Sequence, residues 1–202
     1  MRNNYREKLK REKNWYINSG FNKKHFLNSR LFYSPERNRF NYVFPKKQFF
    51  KFVAQIIDSS KIENPRILIA PIGNGDDIRY MEYFTNDIYG IDISEEAIAK
   101  ISSNIKKYSG DISNMYMFTD DFFDIIISPL FFHHYIEFGF DNFLKEMHRV
   151  LKPNGHFFSL EPSIFYPITW VTLFGKKIFG NITGCIEDER AFIPSKLSNS
   201  MK

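Results

Sequence analysis

A glycine-rich turn with two neighbouring aspartates interrupts an apolar run near the middle of the chain. The stretch RILIAPIGNGDDIRYM covers residues 66–81, and in it the apolar run gives way to Gly73-Asn74-Gly75, followed by Asp76 and Asp77. Glycines let a ligand approach the backbone closely, and the start of a helix offers free N–H groups. This composition predicts a ligand site where a strand turns into a helix.

A further aspartate, Asp92, ends the short strand predicted in DIYGIDIS and lies nineteen residues after Gly73. In a doubly wound sheet, a carboxylate at this place can accept both hydroxyls of an adenosine ribose. The alternative is an acid that merely precedes a helix. A lone G-x-G is common in tight turns, but the interval to Asp92 favours the ribose interpretation.

Two classes of cofactor share this geometry. A nicotinamide dinucleotide needs G-x-G-x-x-G, with the pyrophosphate at the start of the helix. Here the third position is Ile78, and the carboxylates of Asp76 and Asp77 would repel a pyrophosphate. A sulfonium cofactor with an ammonium group is instead attracted by nearby acids. The aspartates therefore favour S-adenosylmethionine over NAD.

The composition is that of one globular domain with a real core, since 43% of the 202 residues are hydrophobic and 25% are charged. A single cysteine, Cys185, excludes an intrachain disulfide and a cysteine metal cluster, so the expected compartment is the cytoplasm and no metal is expected. Neither a signal peptide nor a run of eighteen apolar residues is legible in the sequence.

Basic residues collect at the start of the chain, within residues 1–39, and account for the net charge of +5. Such a segment could contact a phosphate-bearing substrate, an anionic membrane or nucleic acid, or it could be a solvated arm. The solvated arm is favoured. Nucleic acid is not expected, because the segment contains no compact basic and aromatic module of a known RNA-binding type.

Strands alternate with helices along the rest of the chain, which predicts an α/β fold with a doubly wound, mostly parallel sheet. The pattern predicts helical potential around residues 5–16 and helices over 45–59 and 77–84. It also predicts a helix capped by Ser94 and an amphipathic helix, FDNFLKEMHRVL, that ends at Pro153-Asn154-Gly155. It predicts strands at Ile67-Leu68-Ile69-Ala70, DIYGIDIS, FDIIIS and HFFSLEP.

With these elements in place, the chain resembles the class I S-adenosylmethionine-dependent methyltransferases, most closely the large group called methyltransferase type 11. The resemblance runs from about Ile67 to Pro162. It rests on ILIAPIGNGDD, YGIDIS, SGDISNM followed by FDIIIS, and LKEMHRVLKPNGHFFSLEP. It implies a Rossmann-like methyltransferase fold, with the C-terminal strands of the family's seven-stranded sheet missing or shortened here.

The resemblance also implies the cofactor-binding residues, with Gly73 and Gly75 against the methionine part, Asp92 on the ribose hydroxyls and Ser128 near the methionine amino end. The remaining implied contacts are Ile93 on adenine, Asp111 on the adenine amino group, a backbone N–H of Ile112, and the turn residues Asn74, Asp76 and Asp77. The family usually has an acid two residues before the first glycine. Pro71 stands there in this chain, so Asp76 or Asp77 is expected to supply the negative charge.

Candidates for a general base follow the strand FDIIIS. His133 and His134 could remove a proton from a hydroxyl acceptor, and a packing or hydrogen-bonding role is the alternative. Glu161, after the next strand, is expected at the edge of the site, with an ordinary loop acid as the alternative.

The predicted organisation has an N-terminal arm or cap over 1–44, a cofactor-binding core over 45–162, and an acceptor-side insert with a shortened C-terminal part over 163–202. The aromatic segment 164–179 could line a pocket for a small-molecule, saccharide or lipid-linked acceptor, touch a membrane peripherally, or simply pack on the sheet. That segment, or a second copy of the chain in a homodimer, is expected to cover the edge of the strand HFFSLEP. Two other functions stay open, namely an NAD(P)-dependent oxidoreductase and a catalytically silent binding module.

Overall fold

The computed structural model describes residues 5, 7–10 and 44–163 of the chain. Residues 5 and 7–10 are helical and are called the N-terminal helical segment below. The helices that follow are α1 (Phe44–Ser60), α2 (Ile78–Met81), α3 (Glu95–Ala99) and α4 (Asp141–Val150), with a 3-10 turn at Phe132–His134. The strands are β1 (Ile67–Ile69), β2 (Ile88–Asp92), β3 (Lys106–Ser109), β4 (Phe123–Pro129) and β5 (Leu151–Leu160).

The strands form one sheet in the order β3-β2-β1-β4-β5, and every neighbouring pair is parallel. Ile67 of β1 lies beside Ile88 of β2 on one side and Ile125 of β4 on the other. The chain therefore winds outward from β1 in both directions, and the strand order reverses between β1 and β4. In open parallel sheets, ligands bind in the crevice beyond the carboxyl ends of the strands at this point of reversal.

Alternate residues of the central strands enter two separate apolar clusters, one on each face of the sheet. Leu68 joins a cluster with Phe143 and Met147 of α4, whereas Ile67 and Ile69 join a cluster with α1 and α2. Both faces of the sheet are therefore covered, as the predicted doubly wound arrangement requires. The prediction of an α/β fold with a parallel sheet is confirmed.

Helix α1 carries its apolar residues on one stripe, with Phe50, Val53 and Ile57 buried against the sheet. Lys46 lies four residues before Phe50 and is on the same stripe, and it too is buried. A charged side chain at such a place needs a partner of opposite charge, because burying an ion alone is costly.

Two elements differ from their predicted bounds. The helix expected over 77–84 is only Ile78–Met81, because the N–H of Phe84 donates to the carbonyl of Met81, three residues back, in the tighter bond typical of a helix end. The last strand begins at Leu151 and so includes Pro153-Asn154-Gly155, which was expected to lie between helix and strand. That tripeptide belongs to a bulge, since one residue of β4 lies opposite four residues of β5 between the pairs Phe123–Leu151 and Ile125–His156.

Much of the predicted N-terminal arm and nearly all of the predicted C-terminal part lie outside the described residues, as does Cys185. Among the residues that the structure describes, none of the helices combines the length and apolar character needed to cross a membrane.

Candidate functional site

The turn after β1 is a tight backbone loop that needs glycine at two positions. Gly73 and Gly75 both have positive φ, 53° and 81°. A Cβ atom added to Gly75 would lie 2.8 Å from Cδ1 of Ile78. The turn is closed by the N–H of Gly75, which donates to the Ile72 carbonyl at 3.0 Å. The sequence thus brings a bare backbone to the crevice where the strand order reverses.

Asp92, at the end of β2, ties this turn to the neighbouring strand. Its Oδ2 accepts the backbone N–H of Gly73 and its Oδ1 accepts the backbone N–H of Ser94, each at 2.9 Å. The side chain is nearly fully buried, and burial raises its pKa although these N–H groups oppose the rise. A carboxylate has about four lone-pair sites, so Asp92 keeps acceptor capacity for a further donor.

Asp111 lies beyond β3, the next strand of the sheet. Its Oδ1 accepts the backbone N–H of Ser113 at 2.8 Å. The hydroxyl of Tyr5, from the N-terminal helical segment, lies 3.3 Å from each oxygen of the Asp111 carboxylate. The carboxylate is therefore oriented by its own loop and capped by a distant part of the chain.

The loop after Asp111 is held by a charged pair on α4. The guanidinium of Arg149 donates to the carbonyls of Phe118 and Met115 at 2.9 and 3.0 Å, and it pairs with Glu146. Glu146 in turn accepts the backbone N–H of Met115 at 2.7 Å. These contacts fix the loop that carries Asp111 and Ile112 against the last helix before β5.

A pocket of about 90 Å³ joins the ends of β1, β2, β3 and β4. It brings together five of the residues predicted from the sequence, namely the cofactor-binding candidates Asp92, Ile93, Asp111 and Ile112 and the base candidate His134. The rest of its wall was not predicted and consists of Leu9, Pro71, Gly110, Leu130, Phe131, Tyr135 and Phe143. Asn74 and Gly75 do not line it, and instead line a separate open depression together with Arg79 and Lys100.

The two aspartates after the glycine turn have different surroundings. Asp76 is exposed, whereas Asp77 is buried and its Oδ1 lies 2.7 Å from Nζ of Lys46. Burial raises the pKa of Asp77, and the nearby Lys46 opposes the rise. The negative charge of Asp77 is thus matched within the protein, by a lysine that the sequence analysis did not single out.

Ser128, near the end of β4, has a hydroxyl that is fully buried. Among the described residues, this hydroxyl makes no hydrogen bond. A buried polar atom of this kind is costly unless a ligand or water completes it.

The two histidines after β4 face different neighbours. His133 is buried, and its Nδ1 lies 2.8 Å from Oε2 of Glu161. His134 lines the pocket, and burial, with contributions from His133 and Lys8, lowers its pKa to about 2. His134 is therefore neutral at ordinary pH and a weak base, whereas His133 has one ring nitrogen committed to a carboxylate.

Glu161 is the centre of a hydrogen-bond network behind the pocket. Its Oε1 accepts the backbone N–H groups of Phe131 and Phe132, and its Oε2 accepts that of His133, at 2.9–3.2 Å. The hydroxyl of Ser159 lies 3.2 Å from Oε1. The carboxylate thus caps the start of the 3-10 turn and fixes the direction in which His134 faces the pocket.

Sequence reasoning missed Tyr5, Lys46 and the aromatic wall of the pocket. A signal for Lys46 exists, because it continues the apolar stripe of α1 by one helical turn. No comparable signal exists for Tyr5, whose partner Asp111 is 106 residues away in the chain.

Comparison with known proteins gives one family match and many similar folds. Residues 70–159 match the family model described as a methyltransferase domain. No curated protein matches the sequence. The chain spans little more than half the length of some of the solved chains that it resembles, 56% and 53% in two of them.

Three solved structures share the fold over most of the chain. Their sequence identities to this chain are so low that they show a common fold and nothing more. A candidate methyltransferase from Bacillus halodurans C-125 is 20% identical, with a TM-score of 0.57 over 75% of this chain and 66% of that one. An S-adenosylmethionine-dependent methyltransferase from Archaeoglobus fulgidus is 14% identical, with a TM-score of 0.56 over 80% and 72%. A chain from the complex of the Haloferax volcanii Trm112 methyltransferase activator is also 14% identical, with a TM-score of 0.59 over 94% and 73%.

Proposed function

We propose that this chain, whose residues 70–159 match the methyltransferase-domain family model, is a class I S-adenosylmethionine-dependent methyltransferase and transfers the methyl group to a small-molecule acceptor. The observation that carries the proposal is the Asp92 carboxylate. It is buried at the end of β2, accepts the N–H of Gly73 in the turn after β1, and lines the same pocket as Asp111. Two acids at consecutive strand ends beside a glycine turn match the needs of an adenosine.

The residues present fit this cofactor at its adenosine end. Asp92 would accept the ribose hydroxyls, Ile93 would pack on adenine, and Asp111 with the N–H of Ile112 would bind the adenine edge. The hydroxyl of Ser128, which makes no hydrogen bond within the described part of the chain, supports a polar group of the ligand near the end of β4. When bound, S-adenosylmethionine supplies the electrophilic methyl group.

The methionine end of the cofactor needs a different arrangement from the family's usual one. Pro71 occupies the place of the usual acid, and Asp77 is already paired with Lys46. We therefore assign the charge that attracts the ammonium group to Asp76, which is exposed at the turn. Asp76→Asn should raise the dissociation constant of S-adenosylmethionine by at most a few fold, because an exposed ion pair contributes little free energy.

Methyl transfer is an in-line displacement, so the protein chiefly has to align the acceptor. His134 has too low a pKa to take up a proton efficiently near neutral pH. Glu161 accepts backbone N–H groups, so its carboxylate acts as an acceptor towards the His133 ring as well. The Nδ1 atom of His133 therefore carries the proton, and Nε2 is left as the basic nitrogen of the ring. Of the two predicted bases, His134 lines the pocket, whereas His133 is not in its lining but has the arrangement of a base oriented by a carboxylate.

A small-molecule acceptor is supported by the shape and lining of the pocket. Beside the residues assigned to the adenosine, the wall is apolar and aromatic, with Phe131, Tyr135 and Phe143. Such a wall suits a compact apolar or aromatic molecule. Saccharide and lipid-linked acceptors are the alternatives that the experiment below separates.

The test is transfer of a labelled methyl group. Purified chain is incubated with methyl-labelled S-adenosylmethionine and with separate small-molecule, polysaccharide and lipid fractions. We expect label in the small-molecule fraction, and less of it with the His133→Asn variant, by on the order of a hundredfold for a general base. Label in the polysaccharide or lipid fraction would overturn the acceptor assignment.

Calorimetric titration with S-adenosylhomocysteine and with NAD tests the cofactor separately from turnover. We expect binding of S-adenosylhomocysteine and none of NAD. Binding of S-adenosylhomocysteine without transfer to any fraction would instead support the silent module, and binding of NAD alone would support an oxidoreductase.

A further inference from the structure

We propose that the N-terminal helical segment occupies the cofactor pocket of the free protein, with the Tyr5 hydroxyl at Asp111 in the place of the adenine amino group, so that cofactor binding displaces the segment. The inference rests on the proposed function for the role of Asp111. It adds a built-in competitor to that site.

The contact between Tyr5 and Asp111 is the first support. The Tyr5 hydroxyl lies 3.3 Å from both oxygens of the carboxylate and 3.4 Å from Oγ of Ser113. Burial is the main reason that the pKa of Tyr5 is raised to about 12, so the phenol keeps its proton and acts as a donor to Asp111. An amino group on adenine would be a donor to the same carboxylate, so the two donors compete for one acceptor.

The segment is anchored next to the pocket by further contacts. The Tyr5 ring packs against the rings of Tyr135, Phe138 and Phe143, with centroids 5.9–6.4 Å apart. Lys8 is fully buried, and its Nζ lies 5.6 Å from the centre of the Tyr135 ring. Tyr135 and Phe143 themselves line the pocket, so the segment packs on the pocket wall and not on a remote surface.

The remaining room is the second support. Leu9 lines the pocket beside Asp92 and Asp111, and the free space is about 90 Å³. Pockets that enclose drug-sized ligands hold roughly 300 Å³ or more. With Leu9 in this position, the pocket is therefore too small to enclose a molecule of the size of S-adenosylmethionine.

The first test measures S-adenosylhomocysteine affinity by calorimetry for the full chain and its Tyr5→Phe variant. When only a fraction of the molecules is in the binding-competent state, the apparent dissociation constant equals the intrinsic constant divided by that fraction. Loss of one phenolic hydrogen bond should therefore make binding tighter, about three- to tenfold. The matched control is Tyr116→Phe, since Tyr116 is 81% exposed and lies in the loop after Asp111. It should bind like the wild type.

Equal affinity in Tyr5→Phe and the wild type would overturn the inference and leave the proposed function standing. Weaker binding in Tyr5→Phe would also overturn it, because Tyr5 would then hold the cofactor and not compete with it. Absence of binding in every variant would overturn both the inference and the proposed function.

A second test needs no variant and follows Lys8. Mass spectrometry after brief treatment with an amine-reactive acetylating reagent reports how accessible this lysine is. We expect slow labelling of Lys8 in the free chain, where it is buried, and at least several-fold faster labelling with saturating S-adenosylhomocysteine. Unchanged or slower labelling with the ligand would overturn the displacement, and exposed Lys47 serves as the internal reference.

Discussion

Asp92 shows how one side chain links the fold to the proposed chemistry. It bonds the N–H of Gly73 from the adjacent strand end and that of Ser94, and its position was predicted from the interval to the glycine turn. The Ser94 cap was also predicted and is confirmed, since Oγ accepts the N–H of Ala97 at 3.2 Å. Local chemistry of this kind is legible in sequence because each partner is a few residues away or at a fixed interval.

The first prediction concerns pH. Burial raises the pKa of Asp92 in the folded protein above its value in the unfolded chain. The protonated side chain therefore stabilises the fold at pH values below the pKa of the unfolded chain. This stabilisation is lost as the pH rises through the pKa of the folded protein. Ribose binding has the opposite requirement, since it needs the charged acceptor. Affinity for S-adenosylhomocysteine should therefore fall on acidification, and the fall should begin at a higher pH than the ordinary aspartate pKa of 3.8 would give.

Calorimetric titrations from pH 7.5 down to the ordinary aspartate pKa of 3.8 would measure this change in affinity. Asp92→Asn is the control, because it cannot titrate and should bind weakly with little dependence on pH. An affinity for the wild type that stays constant over this range would contradict a titrating ribose acceptor with a raised pKa.

The second prediction concerns His134. Because its pKa is lowered to about 2, its ring should stay neutral throughout the ordinary range of pH. The ring carbon and proton resonances of His134 should not shift between pH 5 and pH 8 in a nuclear magnetic resonance titration, whereas an exposed histidine shifts near pH 6.5. His134→Asn identifies the resonance, and a midpoint near 6.5 for it would contradict the buried position.

At the scale of elements, apolar patterning predicted those that are buried and missed the exposed one. Strands β1, β2 and β4 are buried along nearly their whole length and were predicted within two residues at each end. Strand β3 has the sequence KKYS and is largely exposed at the sheet edge, so no apolar pattern marks it. The bulge at Pro153-Asn154-Gly155 depends on pairing with β4, which local sequence does not contain.

The third prediction concerns the ion pair between α1 and the glycine turn. Both side chains of the Lys46–Asp77 pair are more than nine-tenths buried. Removal of one partner leaves a buried charge, so Lys46→Met should lower the free energy of unfolding by about 3–5 kcal/mol. The double variant Lys46→Met/Asp77→Asn removes both charges and should recover most of the loss.

Denaturant unfolding of the wild type, both single variants and the double variant would measure the coupling. In Lys46→Met, the loss should shrink as pH falls, because protonation then neutralises Asp77. Strictly additive effects of the two substitutions would contradict a direct ion pair.

The fourth prediction concerns the network around Glu161, which joins β5 to the 3-10 turn. A glutamine has only one oxygen acceptor, so it cannot replace both oxygens that accept the N–H groups of Phe131, Phe132 and His133. Glu161→Gln should destabilise the fold by about 1–3 kcal/mol, measured by denaturant unfolding. Glu63→Gln, at an exposed glutamate, should change the stability by less than about 0.5 kcal/mol, and an equal effect of both would contradict the network.

At the scale of the whole molecule, the order β3-β2-β1-β4-β5 brings the carboxyl ends of the strands to one crevice. The fold class followed from the alternation of strands and helices, but the N-terminal contribution to the pocket did not, because no local pattern links Tyr5 to Asp111. The predicted cover over the edge of β5, by the segment 164–179 or by a second chain, lies outside the described residues and stays a prediction.

The most direct test of the account is a calorimetric titration of S-adenosylhomocysteine into the wild type, Asp92→Ala and the control Asp58→Ala. The wild type and Asp58→Ala, changed only at an exposed residue of α1, should bind alike. Asp92→Ala loses the charged acceptor for the ribose hydroxyls and should bind more weakly by about 1.5–3 kcal/mol, while thermal unfolding confirms that it is folded. Binding by Asp92→Ala as tight as that of the wild type, or no binding by the wild type, would contradict the assignment of this crevice as an S-adenosylmethionine site.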